Sequence, residues 1–155
     1  MRRKDREIKD FAKMMEILET CDCCRLGLTD DDGAYIVPMN FGYEESDDNL
    51  VLYFHCAKEG RKIGLIKKQG KASFEMDSKH ELASGERACD FSYMYQCVMG
   101  KGRIEILNDN DAKIHGLQKI MRHYSEREDW EFRREMTEAV TVLKLTVTEW
   151  SCKVH

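Results

Sequence analysis

The residues best suited to chemistry lie where a predicted strand runs into a predicted helix. The strand ends near His55, and the helix that follows opens with Lys58, Arg61 and Lys62. Positive charge at a helix N-terminus costs roughly 0.3–1 kcal/mol per side chain, because the helix macrodipole is already positive there. The cluster therefore predicts a bound anion. Phosphate suits both the cations and the free backbone N–H groups of a helix start.

A histidine beside an anion site could also move protons. An unperturbed imidazole titrates near pH ~6.5, close to the working range of general acids and bases. Period-two alternation places Leu50, Leu52 and Phe54 on one face of the strand and Val51, Tyr53 and His55 on the other. The second face has no charged residue, so we expect a ligand or a partner subunit to cover it. The alternative is a surface aromatic patch with a hydrogen-bonded histidine.

The only proline of the chain, Pro38, interrupts a second predicted strand. Proline cannot donate to a β-ladder, so the strand should lie at a sheet edge or contain a bulge. An unpaired strand edge offers backbone N–H and C=O groups that would suit the donor and acceptor edge of a flavin ring. Protection of the edge against unwanted pairing explains Pro38 equally well.

Composition sets limits on the class of protein. The 155 residues predict one domain, 1–155, and the net charge of −4 with interleaved signs disfavours a nucleic-acid partner. No apolar run approaches the ~20 residues needed to cross a bilayer, and the N-terminus does not resemble a signal peptide. An odd count of seven cysteines predicts free thiols in a reducing cytoplasm. The Cys21/Cys24 pair lacks further ligands for zinc, so no metal is expected.

The spacing of apolar residues predicts a mainly β protein. Helices are expected over 7–20, 60–68, 109–124 and 130–136. Strands are expected over 24–29, 34–41, 50–56, 72–77, 91–98, 102–107 and 139–147. Without long βαβ crossovers, these elements favour a small antiparallel barrel of six to seven strands with flanking helices.

Several segments resemble the pyridoxamine-phosphate-oxidase-like proteins, the FMN-binding split barrels, and most closely their nitroimidazole-resistance branch. The similar segments are 1–8, 24–28, 35–43, 52–62 and 98–105. The most specific of them contains the sequence HCAKEGRK, which begins at His55. The resemblance implies a split-barrel homodimer with two FMN molecules at the subunit interface.

The same resemblance implies a role for each candidate residue. Arg61 and Lys62, with Lys58, would hold the flavin phosphate. The segment beside the isoalloxazine ring would be Val37, Pro38, Met39 and Asn40. His55 would stand near the ring, where it could supply a proton or shape the substrate pocket.

The expected activity is that of an FMN-dependent oxidoreductase. NAD(P)H would reduce the flavin, which would reduce a small acceptor such as a nitroaromatic. Two alternatives stay open at this point: a split barrel that binds haem through a histidine, and a non-enzymatic cofactor-binding barrel.

Overall fold

A computed structural model describes residues 3–47 and 49–155. Met1 and Arg2, in the first similar segment, and Asp48, in a predicted turn, lie outside this description. The strands are β1 (Glu7–Ile8), β2 (Cys24–Asp30), β3 (Gly33–Met39), β4 (Phe41–Ser46), β5 (Asn49–Cys56), β6 (Lys71–Ala83), β7 (Ser92–Leu107) and β8 (Thr141–Val154). The helices are α1 (Phe11–Glu19), α2 (Arg61–Gln69), α3 (Asn110–Tyr124) and α4 (Arg134–Ala139).

The strands form one antiparallel sheet in the order β3-β2-β6-β7-β8-β5-β4, with β1 added beside β8. The two end strands, β3 and β4, are consecutive in the chain and are separated only by Asn40. This arrangement confirms the mainly β, split-barrel prediction. It has eight strands instead of six or seven, because β1 and β4 were missed and two predicted strands are one.

Two of the predicted strands form a single strand in the structure. Residues 91–98 and 102–107 were expected to be separate, but β7 runs through both. Its register with β8 shifts between Lys101 and Gly102, because β8 contains one extra residue there, Thr148, and β7 continues past the bulge. The strand predicted over 72–77 is also longer in the structure, since β6 continues to Ala83.

The first helix starts later than apolar periodicity predicts. Ile8 was assigned to it, yet Ile8 pairs with Cys152 of β8. Asp10 then caps α1, because its side chain accepts a hydrogen bond from the backbone N–H of Lys13. The predicted helix at 130–136 is likewise displaced, to Arg134–Ala139.

The core fills the inside of the rolled sheet. Its fully buried side chains include Leu26 of β2, Leu52 and Phe54 of β5, and Leu143 and Leu145 of β8. Each such side chain contributes roughly 1.5–3 kcal/mol by leaving water. Helix α1 packs against the same cluster through Leu18, and so the inner face is closed.

Helix α3 covers part of the outer face, along β4 and β5. A Cβ on Gly116 would lie 2.9 Å from the Tyr53 ring, so helix and strand approach closely there. Tyr53 is therefore buried by α3 of its own chain. For Tyr53, the expectation that a ligand or a partner subunit covers this face is wrong. His55 lies beyond the helix and is exposed. No helix among the described residues is long and apolar enough to span a membrane.

Candidate functional site

The start of helix α2 has neither a side-chain cap nor an acidic residue in its first turn. Gly60 precedes the helix with φ = 132°, a conformation that strongly favours glycine, and it offers no side-chain cap. The first helical N–H groups lack partners within the helix, and the first turn holds no acidic residue. The N-terminal end of α2 therefore keeps its positive potential.

The three cations of this region differ in their surroundings. Arg61 donates from Nε and Nη2 to Asp30 Oδ2, each over 2.6 Å, and its guanidinium lies 5.1 Å from the centre of the Tyr35 ring. The Nζ of Lys62 lies 3.2 Å from the sulfur of Met39. Neither Lys58 nor Lys62 forms an ion pair with a described residue. Lys58 and Lys62 thus lie outside the ion pairs of the described residues, although Lys58 is near enough to Glu138 to help lower the pKa of that carboxyl.

The end of β3 adjoins this helix start. Strand β3 pairs with β2 through Leu26↔Val37, Arg25↔Pro38 and Cys24↔Met39, and it ends the strand order. Pro38 therefore lies on an edge strand, as its sequence predicts. Met39 turns inward to Lys62, whereas Pro38 and Asn40 are exposed.

The end of β5 reaches the same end of the barrel. Phe54 pairs with Phe41, the first residue of β4. His55 follows Phe54 and Asn40 precedes Phe41, so the register carries both to one end of the β4–β5 pair. The His55 side chain is exposed and has no hydrogen bond to a described residue, which leaves it available to a ligand.

Cys56 is the last residue of β5, and it is half-buried. Burial raises the pKa of Cys56, and the Lys62 ammonium opposes that change. A raised pKa keeps the thiol protonated at neutral pH, where only the thiolate is a good nucleophile. Successive strand residues also point to opposite faces, so His55 and Cys56 do not form a catalytic pair.

A second polar cluster fastens α3 to the sheet. Glu44 of β4 accepts hydrogen bonds from Tyr53, His115 and Lys119. Partial burial would raise the pKa of Glu44, but these three donors lower it below its usual value. The donors come from β5 and α3, so the cluster attaches α3 to the β4–β5 pair.

The two histidines of α3 differ in burial. His115 is exposed. His123 instead lies 4.3 Å from the Phe41 ring, and its Nε2 is 2.7 Å from the carbonyl oxygen of Cys21. Burial lowers its pKa, so it acts as a neutral packing residue.

Sequence reasoning missed the partners of the cations. Asp30 was interpreted only as part of a turn, and Tyr35 only as a strand residue. Both hold Arg61, from 31 and 26 positions earlier in the chain. No local signal reports such a contact, because it depends on how the β2–β3 hairpin lies against α2.

The chain belongs to the pyridoxamine 5'-phosphate oxidase family, whose model matches residues 10–154. This membership agrees with the antiparallel split barrel described above. A comparison with curated protein sequences found no match.

Solved structures make the relationship more specific. A protein from Bacteroides thetaiotaomicron, provisionally assigned to 5-nitroimidazole antibiotic resistance, is 32% identical with a TM-score of 0.82, over 96% of this chain and 86% of that one. The flavocytochrome Anf3 from Azotobacter vinelandii is 22% identical with a TM-score of 0.83, over 100% and 72% of the two chains. The FAD and heme binding protein from Mycobacterium smegmatis is 18% identical with a TM-score of 0.83, over 96% and 73%. The first confirms the resemblance to the nitroimidazole-resistance branch, and the other two share the fold.

Proposed function

We propose that this protein is an FMN-dependent oxidoreductase that uses NAD(P)H to reduce a small acceptor such as a nitroaromatic. The observation that carries the proposal is the start of α2, where a helix without a side-chain cap and two lysines without ion pairs to described residues adjoin an exposed strand edge. A flavin mononucleotide combines a dianionic phosphate with a flat ring that has hydrogen-bonding groups at one edge. These residues therefore fit both of its ends.

The phosphate would be held by Lys58, Arg61 and Lys62 together with the N–H groups that open α2. Arg61 keeps Nη1 free of Asp30, so it can still donate to a second anion. Charge-assisted hydrogen bonds of this kind are about twice as strong as neutral ones. The anchor would place the rest of the cofactor along the neighbouring end of β3.

The ring would lie beside Val37, Pro38, Met39 and Asn40. Strand β3 pairs on one side only with a described strand, so backbone groups along its other side can serve the ring edge. A bound flavin supplies the hydride and electron transfer, while the protein supplies orientation and electrostatics. His55 would hold the proton that the reduced acceptor takes up, since its imidazole is exposed and makes no hydrogen bond to a described residue.

The outer face of the sheet supports a homodimer with the flavin at its interface. Helix α3 covers β4 and β5, but no described element covers the outer face of β3, β2 and β6. Ile36 is 64% exposed there, beside Gly27 and Ser73. Large apolar side chains on an open sheet face are typical of association surfaces. Seven free cysteines favour the reducing cytoplasm as its location.

The absorption spectrum of the protein, purified without added cofactor and then titrated with FMN, tests the proposal. We expect oxidised flavin bands or saturable uptake of FMN, and bleaching of the bands by NADH or NADPH under anaerobic conditions. A colourless protein that takes up no FMN would refute the proposal. A Soret band would instead favour haem binding, for which the exposed His55 is a candidate ligand.

A further inference from the structure

We propose that Asp30, in the turn between β2 and β3, is a positioning residue that orients Arg61 toward the flavin phosphate. This inference rests on the proposed function and assigns a role to a carboxylate at what is otherwise a cationic site. It follows from how tightly both members of the ion pair are held.

The carboxylate of Asp30 is fixed on both of its oxygens. Oδ2 accepts from Nε and Nη2 of Arg61, each over 2.6 Å, and Oδ1 accepts from the backbone N–H of Asp31 over 2.8 Å. The side chain of Asp30 is only 18% exposed, against 57% for Arg61. The Asp31 N–H and then Arg61 hold the pKa of Asp30 below its usual value, so it is ionised at neutral pH.

The guanidinium of Arg61 is confined from a second direction by the ring of Tyr35, 5.1 Å away. An arginine has five N–H donors in a rigid fork, and Asp30 engages only the Nε and Nη2 nitrogens. The Nη1 donors remain for another acceptor. A long side chain that is already ordered loses less rotamer entropy when it binds.

The turn itself is tied to helix α2 at the opposite end. Lys68 pairs with Asp31 over 2.9 Å, and the Gln69 side chain donates to the backbone carbonyl of Thr29 over 2.8 Å. These contacts hold the β2–β3 turn against the whole helix. Asp30 therefore has a fixed place relative to the N-terminal end of α2.

The opposite effect is also conceivable, because Asp30 could compete with phosphate for Arg61. The geometry favours positioning: Asp30 leaves Nη1 open, and Lys58 and Lys62 keep their charges. The two effects have opposite signs, so a binding experiment separates them.

The experiment compares FMN with riboflavin, which has the same ring without the phosphate. Dissociation constants are measured by flavin fluorescence for the full chain and for Asp30→Ala, Asp32→Ala, Arg61→Ala and the Asp30→Ala/Arg61→Ala double variant. We expect Asp30→Ala to weaken FMN binding about three- to tenfold and to leave riboflavin binding unchanged. Asp32→Ala removes the same charge two residues away, at an exposed side chain outside the ion pairs of the described residues, and should change FMN binding less than about twofold.

The double variant distinguishes an effect of Asp30 through Arg61 from a general loss of structure. If Asp30 acts through Arg61, adding Asp30→Ala to Arg61→Ala causes no further loss of FMN affinity. Asp30→Asn keeps the size and one acceptor oxygen, so it should weaken FMN binding in the same direction but less. It also serves as the test if Asp30→Ala does not fold.

Three results would overturn the role of Asp30 alone: tighter FMN binding in Asp30→Ala, an equal loss of riboflavin, or unchanged FMN binding while Arg61→Ala is impaired. Unchanged FMN binding in Arg61→Ala would overturn this inference together with the phosphate assignment. A wild-type chain that binds no FMN would refute the proposed function itself. Failure of the Asp30 role, of the phosphate assignment and of the proposed function therefore give different results.

Discussion

At the residue scale, the cations of the proposed phosphate site differ in their surroundings. Arg61 is already held by Asp30 and Tyr35, whereas Lys62 meets only the sulfur of Met39. A guanidinium gives directed hydrogen bonds and an ammonium acts as a compact point charge. We therefore expect Arg61 to orient the phosphate and Lys62 to supply attraction.

Replacing both residues tests this division. Arg61→Ala with Lys62→Ala should weaken FMN binding at least about tenfold, or ~1.4 kcal/mol, because two charge-assisted contacts to the phosphate are lost. Fluorescence titration measures the change. Lys67→Ala is the matched control, since this exposed lysine lies in the last turn of the same helix. Equal FMN affinity in the double variant and the control would contradict the phosphate assignment.

We propose that His55 takes part in the reaction more than in binding of the cofactor. We expect His55→Ala to keep FMN but to slow reduction of the acceptor about 10²-fold or more, because general acid catalysis contributes at least that much. Stopped-flow measurements separate the two half-reactions, and reduction of the flavin by NAD(P)H should be unchanged. A variant with full FMN occupancy and normal acceptor reduction would remove His55 from the mechanism.

The sequence could predict the residues whose chemistry is local. Lys58, Arg61 and Lys62 are recognisable because a strand, a glycine and a helix follow one another. The contacts of Arg61 with Asp30 and Tyr35 could not be predicted, since they join segments about 30 positions apart. Local patterns report propensities, and they carry no information on where a hairpin lies against a distant helix.

At the element scale, predictions succeeded where one period dominates. Strands β2 and β5 alternate clearly, and helix α2 ends at Gly70 with φ = 62°, as its glycine suggests. Strand β4 was missed because Gly42, Glu44 and Glu45 weaken its β signal. Its partners, β5 on one side and α3 above it, compensate for that weakness.

The contact between α3 and β4 depends on a glycine. A Cβ on Gly42 would lie 2.2 Å from the backbone carbon of Lys119, so alanine would force the helix away from the sheet. We expect Gly42→Ala to reduce the free energy of unfolding by about 1–3 kcal/mol or more, as overpacking does. Urea denaturation followed by circular dichroism measures the loss.

At Gly64 the same substitution should have the opposite effect on stability. Gly64 lies inside α2 with open space where a Cβ would be. Gly64→Ala should raise the free energy of unfolding by about 0.5–1 kcal/mol, because alanine loses less backbone entropy in a helix. Equal effects from the two substitutions would mean that α3 tolerates displacement and does not need Gly42.

At the scale of the whole molecule, we propose that residues 1–155 act as one FMN-binding domain that works as a pair. The barrel closes its inside with its own core, and α3 closes part of its outside. The remaining outer face carries Ile36 and Met99, both exposed, with the small residues Gly27 and Ser73 between them. Small residues leave the backbone accessible, which lets a second sheet approach closely.

A charge placed on this face tests the pairing and its link to the cofactor. We expect Ile36→Lys to shift the protein from dimer to monomer in sedimentation velocity, because an unpaired charge would be buried at the interface. Met136→Lys is the control, since Met136 is similarly exposed, at 62%, but lies on α4. If the flavin lies between the subunits, Ile36→Lys also lowers FMN affinity, and that loss becomes smaller as protein concentration rises. FMN binding that is normal in a monomeric Ile36→Lys variant would place the cofactor site within a single chain.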